Sequence, residues 1–191
     1  SGKFEYVGGI VEQSKSQIET SVRTIRAHVG NAAMQETFSV LGFDYVKYVS
    51  VIDGRSTKGC ASLDQTVWKK GDPMIVYPPR HFNCRSILVG VDKDGVMSGK
   101  RPFVMDERPV KNIPKDQRDG IIGQLDANTS FPQFFDKADT FFQKEWLGET
   151  RYKLYKEGNF PLSKFVDPLN REYTIAELRE LDQKTFARLG L

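Results

Sequence analysis

The chain contains little cysteine, little histidine and no long apolar run, and each shortage excludes a class of protein. Its 191 residues include two cysteines, Cys60 and Cys84, and two histidines, His28 and His81. Two cysteines are too few for the disulfide scaffold of a small secreted domain. No stretch approaches the roughly 20 apolar residues that a membrane-spanning helix needs. We therefore expect a soluble protein that matures in a reducing cytoplasm and does not enter a membrane.

The chain also has no large excess of basic over acidic residues, or the reverse. The 28 basic and 25 acidic residues leave a net charge of +3, which does not indicate nucleic-acid binding on its own. Aromatic residues, by contrast, are abundant, with 13 Phe, 7 Tyr and 2 Trp. So many rings indicate a core built on aromatic side chains, or surfaces that are buried against partners.

The N-terminal region has helical periodicity. Gly30 and Asn31 are typical of a helix end, so we expect one helix over about residues 14–29 and a second, short helix after the break. The first helix is predicted from large aliphatic residues at the i, i+4, i+7, i+11 spacing of one helix face, which are Ile18, Val22, Ile25 and Val29.

From residue 43 the periodicity changes to two. The segment 43–53 alternates in the manner of a largely buried strand. The aliphatic run 86–91 predicts another strand, which ends at the turn sequence DKDG. Residues 60–68, between these strands, fit one helical turn followed by a short strand. The segment from Lys100 to Pro114 contains three prolines and mixed charge, and we expect it to be irregular.

The C-terminal third is predicted to be helical. Ser130 is a suitable N-cap for a segment rich in phenylalanine, and Gly148 is expected to interrupt that segment. Thr174 and Glu177 have the spacing of a capping box.

These patterns together predict an α+β fold, with N-terminal helices, a small antiparallel sheet and a helical C-terminal third. The sheet is expected to carry the proline-rich motif described next. We divide the chain into a core of residues 1–99, a linker or arm of residues 100–114, and a helical region of residues 115–191 that packs on the core or on a partner.

The sequence YPPRHFNCRSILVGV, at residues 77–91, concentrates reactive residue types. Cys60, His81 and Cys84 are three potential ligands for a soft or borderline metal ion, and the two-residue gap between His81 and Cys84 lets both side chains face one ion. A closed zinc site needs four ligands, however, and Asp64 is the only further candidate nearby. In the alternative, both cysteines are small buried hydrophobic residues and His81 is a hydrogen-bonded histidine of the core. On this balance we predict neither a metal nor another cofactor.

Two other chemistries fit the same residues. A disulfide between Cys60 and Cys84 would stabilise the fold by roughly 3 kcal/mol, although a reducing compartment opposes it, and the sequence leaves this question open. A nuclease or toxin-type enzyme would instead use His81 as a base beside Arg85. Neither an oxyanion-hole loop nor a glycine-rich phosphate loop accompanies these residues. We therefore predict no enzymatic activity, and keep the nuclease as the alternative.

The charged residues around the motif are expected to hold the fold. Asp53 and Arg55 flank a glycine at a strand end, a pattern that ties down a loop by charge-assisted hydrogen bonds. Asp64 is predicted to accept hydrogen bonds from Arg55 or Arg85. His81 and Arg85 are expected to tie the turn of the motif to Asp53 or Asp64, and the two prolines fix the approach to the following strand.

Basic residues occur in two short clusters elsewhere. Lys69 and Lys70 form one pair, and Lys100 and Arg101 form the other. Pairs of this kind are usually solvated loop tips, but they are the candidates for contact with a phosphate backbone.

The assembled pattern resembles the Mu F-like minor head proteins of tailed phages. Their signature combines an Asp-x-Arg-Thr-like turn, a Cys, a Leu-Asp pair, and then Pro-Pro-x-His-x-x-Cys-Arg. The upstream Arg23-Thr24 pair and the C-terminal LGETR, FVD and TIAEL segments are also similar to the family, so the resemblance runs from about Arg23 to Leu178. In this chain the signature falls on Asp53, Arg55, Thr57, Cys60, Leu63, Asp64, Pro78, Pro79, His81, Asn83, Cys84, Arg85 and Ser86.

The chain also departs from the family pattern. Gln65 stands where a glycine commonly follows the Leu-Asp pair, so the turn there is expected to differ. Thr57 and Ser86 stand where some members carry two further cysteines, which weakens the case for zinc.

The resemblance implies a protein of the capsid interior. Relatives associate with the portal or the major head protein during assembly, stay in the head in few copies, and influence the packaging or delivery of DNA. We therefore expect a minor capsid protein of the virion interior, assembled in the bacterial cytoplasm. Its expected partners are the portal or major capsid protein and the packaged DNA.

Overall fold

The computed structural model describes residues 10–191. Within this range the protein is α+β, as predicted, with seven α-helices and two three-stranded sheets. No helix among the described residues combines the length and the apolar character that crossing a lipid bilayer requires. In chain order the elements are α1 (Ile10–Val40), β1 (Tyr45–Val49), β2 (Ile52–Asp53), α2 (Lys58–Leu63), β3 (Val67–Lys69), β4 (Ile87–Val91), β5 (Lys100–Val104), β6 (Ile122–Asp126), α3 (Phe131–Lys137), α4 (Thr140–Leu147), α5 (Glu149–Lys156), α6 (Ile175–Leu181) and α7 (Gln183–Leu189).

Helix α1 continues through the position where a break was predicted. Asn31 does not cap a helix end, because its side chain is buried against β4. Its Oδ1 accepts the backbone N–H of Leu88 at 3.2 Å, and its Nδ2 donates to the carbonyl of Ala27 at 2.9 Å. The amide thus supplies an acceptor to the free edge of β4 while remaining in the helix. The predicted break, and the second short helix after it, are therefore wrong.

The first sheet has the order β3-β1-β4 and is antiparallel throughout. Strand β1 is central and pairs with β4 along five residues, from Tyr45 opposite Val91 to Val49 opposite Ile87. The proline-rich motif leads directly into β4. This is the small antiparallel sheet that the alternating pattern predicted, and the helical turn α2 and strand β3 lie between its two long strands as expected.

A second sheet, of order β2-β5-β6, was not predicted. Strand β5 is parallel to β2 and antiparallel to β6, so the prediction of irregular chain from Lys100 onward is wrong for Lys100–Val104. Pro102 argued against a strand, because proline cannot donate to a ladder. The short β2 pairs only with Phe103 and Val104, however, so no residue of β2 lies opposite Pro102 and the proline is tolerated.

The C-terminal helices pack around a cluster of aromatic rings. Trp146 is central to it, with its ring 4.9 Å from that of Phe131 and 5.0 Å from that of Phe135. The predicted helix starts are confirmed. Ser130 and Thr174 each form a capping box, in which the hydroxyl accepts the backbone N–H three residues on. The predicted interruption at Gly148 is also present, between α4 and α5.

The neighbouring residues Gly30 and Asn31 provide a matched test of how α1 is held. We expect Asn31→Ala to lower the free energy of unfolding by about 1–3 kcal/mol, because it leaves the Leu88 N–H without its partner. We expect Gly30→Ala to raise it by about 0.5–1 kcal/mol, since a Cβ at residue 30 would meet no atom within 4 Å. Urea unfolding of both variants measures the difference. Destabilisation by Gly30→Ala would contradict the continuous helix.

Candidate functional site

The motif residues meet where the start of α2 faces a tight turn. Thr57 is the N-cap of α2, and its Oγ1 accepts the backbone N–H of Cys60 at 3.2 Å. In the turn, the backbone N–H of Cys84 donates to the carbonyl of His81 at 3.1 Å. Asn83 has a φ of 58° there, in the left-handed region that asparagine tolerates better than most residues. The turn and the helix start together bring His81 and Cys84 next to Cys60.

The three side chains form a compact Cys–His–Cys cluster. The Sγ of Cys60 lies 3.3 Å from the Nε2 of His81 and 3.9 Å from the Sγ of Cys84. All three potential ligand atoms lie within 4.8 Å of one another. Both cysteines are buried free thiols, and their sulfurs are well beyond the bond length of about 2.05 Å of a disulfide.

The hydrogen bonds of His81 define its tautomer. Its Nδ1 lies 2.8 Å from the backbone carbonyl of Phe82, and because a carbonyl only accepts, Nδ1 carries the proton. In the neutral imidazole Nε2 is then an acceptor. This lone pair is directed at the Sγ of Cys60 and at the Oγ1 of Thr57, each 3.3 Å away.

The two thiols differ in acidity. A hydrogen bond from Cys60, supported by backbone hydrogen bonds from Arg80 and Ser86, lowers the pKa of Cys84 below the usual value of a thiol despite burial. The same hydrogen bond, together with burial, raises the pKa of Cys60. Burial also raises the pKa of Tyr48, whose hydroxyl lies 3.3 Å from the Sγ of Cys60. The hydrogen bond between the two sulfurs thus favours ionisation of Cys84 over ionisation of Cys60.

Beside the cluster, the buried carboxylate of Asp53 joins two arginines. It accepts from Arg85, with Nη2 2.8 Å from Oδ1, and from Arg55, with Nη2 3.1 Å from Oδ2. Burial opposes the ionisation of Asp53, but the hydrogen bonds and charge of Arg85, with those of Arg55, hold its pKa below the usual value. The loop after β2 is thus tied to the residue that follows Cys84, which is the predicted pairing of Arg85 with Asp53. His81 does not take part in it, because its hydrogen bonds within the described residues go to other groups.

A second buried carboxylate, Asp64, pairs with Arg101. Its Oδ2 accepts from Nη1 of Arg101 at 2.8 Å and its Oδ1 from Nη2 at 3.1 Å. The carboxylate also accepts the backbone N–H groups just after β1 and at the start of α3, both at 2.7 Å. The prediction that Asp64 pairs with Arg55 or Arg85 is therefore wrong, and the partner comes from the strand that was not predicted.

The candidates for nucleic-acid contact change accordingly. Arg101 is wrong as a candidate, because its guanidinium is buried against Asp64. Of the remaining three, Lys70 donates to the Oγ of Ser39 at 3.1 Å, whereas Lys69 and Lys100 are exposed.

A different group of basic residues lines a cleft of about 910 Å³ beside the cluster. Three of the five basic residues form ion pairs, but they share only two carboxylates, Asp53 and Glu19. Within residues 10–191, Arg26 and Lys111 have no carboxylate partner, so the cleft carries excess positive charge. The five basic residues are Arg23, Arg26, Arg55, Arg85 and Lys111.

The sequence offered one overlooked signal for this cleft. Arg23 and Arg26 are three residues apart and lie off the apolar stripe of α1, so they share a face of the helix. Lys111 could not be placed, because it lies in the segment that was interpreted as a linker.

The structure shows how Gln65 is accommodated at a position where the family pattern commonly has a glycine. Gln65 has a φ of 70°, in the left-handed region that glycine favours, so this chain adopts there the kind of backbone that a glycine would adopt. Its side chain contributes two hydrogen bonds: Oε1 accepts from Lys47 at 2.6 Å and Nε2 donates to the carbonyl of Ala127 at 3.2 Å.

His81 and Arg85, the residues of the nuclease alternative, both line the cleft. Arg85 is held by Asp53, however. His81 has no carboxylate within hydrogen-bonding distance in the described part of the chain, so its ring is oriented by the carbonyl of Phe82 and not by the acid of a catalytic triad.

The residues of the family pattern outside the motif also contact the site. The Oγ1 of Thr24, in α1, accepts the backbone N–H of Asn83 at 3.1 Å. In the C-terminal segments, Glu172 accepts from Arg151 at 3.1 Å and lies 3.6 Å from Lys58 at the start of α2.

Comparison with known proteins adds no relative: no family model, no curated protein and no solved structure matches the chain. The resemblance to the Mu F-like proteins therefore rests on the residues named above.

Proposed function

We propose that this chain is a minor capsid protein of a tailed phage, or of a prophage copy, and that it acts inside the head by contacts and not by turnover. In this role it associates with the portal or the major head protein during assembly and contacts DNA that is packaged or delivered. Its place is the virion interior, after assembly in the bacterial cytoplasm.

The convergence of the signature residues is the observation that carries the proposal. Residues far apart in sequence contact one another, as Thr24 does with Asn83, Asp53 with Arg85, and Cys60 with His81. These contacts are a turn hydrogen bond, a partly buried ion pair and a contact between two side chains of the Cys–His–Cys cluster. A pattern whose members hold one another in place is typical of a structural domain, and this supports a role in assembly.

The first half of α1 offers a surface for a protein partner. Four large aliphatic residues on one stripe have 58–63% of their surface exposed, although side chains of this kind are usually covered. Their 4-3-4 spacing is that of the a and d positions of a coiled coil, so the expected partner surface is another helix. The stripe consists of Ile18, Val22, Ile25 and Val29.

The cationic cleft offers a surface for DNA. Its guanidinium and ammonium groups suit phosphate oxygens, and contacts to the phosphate backbone give binding that is independent of sequence. A protein that meets DNA of any sequence inside a head needs binding of this kind.

The stripe gives the first test of the proposal. We expect the double variant Val22→Lys/Ile25→Lys to lose co-purification with the co-expressed portal protein by at least about tenfold, which corresponds to about 1.4 kcal/mol. Leu41→Lys is the matched control, because Leu41 directly follows α1 and is 64% exposed, and at about 100° per residue it is turned away from the stripe. Capture of the portal should be unchanged in this control.

Light scattering of both purified proteins completes that test. Unchanged portal capture by the stripe variant would contradict the assignment of the stripe. A change in oligomeric state without a change in portal capture would also contradict it, since the stripe would then join two copies of the chain.

The cleft gives a second test. We expect Arg26→Glu/Lys111→Glu to weaken binding to duplex DNA of mixed sequence and to make the dependence of log K on log salt shallower by about 1.8, or about 0.9 for each lost phosphate contact. The matched variant Lys69→Glu/Lys100→Glu changes the charge equally at the two exposed candidates outside the cleft. A larger loss in this second variant would contradict the cleft as the DNA surface.

A further inference from the structure

We propose that Cys60, His81 and Cys84 form a zinc site, with a fourth coordination position open toward the cationic cleft. This inference is independent of the function proposed above, because a metal in this position is compatible with an assembly protein and with an enzyme. The sequence alone led us to predict no metal. We now favour one, because the structure brings all three potential ligands together.

The spacing of the ligand atoms is the first support. In a tetrahedral site with Zn–S bonds of about 2.3 Å and Zn–N bonds of about 2.0–2.1 Å, two sulfurs are about 3.8 Å apart and a sulfur and a nitrogen about 3.6 Å. The Sγ atoms of Cys60 and Cys84 are 3.9 Å apart, and the Sγ of Cys60 is 3.3 Å from the Nε2 of His81. The third pair, the Sγ of Cys84 and the Nε2 of His81, lies within 4.8 Å, so the cluster closes on the ion by movements of at most about 1 Å.

The orientation of His81 is the second support. A metal-binding histidine usually donates its other ring N–H to a carboxylate or a carbonyl, which fixes the tautomer and directs the free lone pair at the metal. His81 has this arrangement, because its Nδ1 donates to the carbonyl of Phe82 at 2.8 Å and its Nε2 is directed at Cys60. A histidine that served only to fill the core would not require it.

Space for a fourth ligand is the third support. A cavity of about 20 Å³ adjoins the cluster and is lined by Thr57, Cys60 and His81, among other residues. A water molecule needs a cavity of roughly 10–15 Å³ by this kind of measure. His81 and Thr57 also line the cationic cleft, so a water or a small anion can reach the ion from that side.

The chemistry of the ligands selects the metal. Two sulfurs and one imidazole suit zinc and its spectroscopic substitute cobalt, and do not suit magnesium or calcium, which prefer oxygen. Both cysteines bind as thiolates, so any thiol proton still present is released to the buffer. The product is a neutral site, in which two thiolate charges balance the 2+ charge of the ion.

Cobalt titration tests the site directly. The full chain is reduced, stripped of metal with a chelator and titrated with Co²⁺ in the absence of oxygen. We expect saturation at one equivalent, with the strong visible bands of tetrahedral cobalt and thiolate-to-cobalt charge-transfer absorption. Zinc should then displace the cobalt and abolish both signals.

Thermal unfolding provides a readout that does not depend on cobalt spectra. At a free zinc concentration of about 100 times Kd we expect the melting temperature to rise by roughly 5–10 °C. Cys84→Ser and His81→Ala should remove this rise. His28→Ala, at the exposed second histidine of the chain, should retain it.

Several results would overturn the proposal. They are a cobalt spectrum without charge-transfer bands, binding that persists in Cys84→Ser, and a melting temperature of the wild-type chain that zinc does not change. Loss of both thiols to a disulfide in air, with no zinc binding by the reduced chain, would do the same. The wild-type titration decides the question even if the variants fail to fold.

Discussion

The buried ion pair between Asp64 and Arg101 is the interaction on which the rest of the structure depends. Asp64 directly follows α2 and Arg101 lies in β5, so the pair joins the first sheet, the second sheet and the start of α3. Burying two charges is costly unless every lone pair is satisfied, and here the carboxylate receives four hydrogen bonds. By fixing α2, this pair also fixes Cys60, and Asp53 with Arg85 then holds the turn that carries His81 and Cys84.

Local patterns in the sequence predicted much of the fold. The alternation that gives β1, the aliphatic run of β4, the N-cap at Ser130 and the capping box at Thr174 depend on residues close together in the chain, and each is present in the structure. The single strand predicted over residues 43–53, however, is divided between β1 and β2, which belong to different sheets. The predictions failed where contacts between distant segments of the chain decide the structure. Asn31 has the residue type of a helix end, but its amide is used by β4. Pro102 has the residue type of a linker, but it lies in a strand whose neighbour is too short to need its N–H.

The sequence predicted which residues form the Cys–His–Cys cluster, but not how His81 is oriented or which residues line the cleft. The motif indicated that Cys60, His81 and Cys84 belong together, because their residue types and spacing suit one another. It did not indicate that a backbone carbonyl orients His81, since a carbonyl has no signature in sequence. The cationic cleft was missed because its basic side chains come from α1, from the motif loops and from the segment near Lys111. Only the folded chain brings these segments together.

A double-mutant cycle between Asp64 and Arg101 tests most directly the claim that the signature residues act through the fold. The free energies of unfolding of Asp64→Asn, Arg101→Met and the double variant are measured by urea denaturation. We predict that each single variant loses about 3–5 kcal/mol, because each leaves a buried partner unsatisfied. The double variant should be less destabilised than the sum of the two by about 2–3 kcal/mol. If the loss of unfolding free energy in the double variant equals the sum of the two single losses within about 0.5 kcal/mol, the account is contradicted.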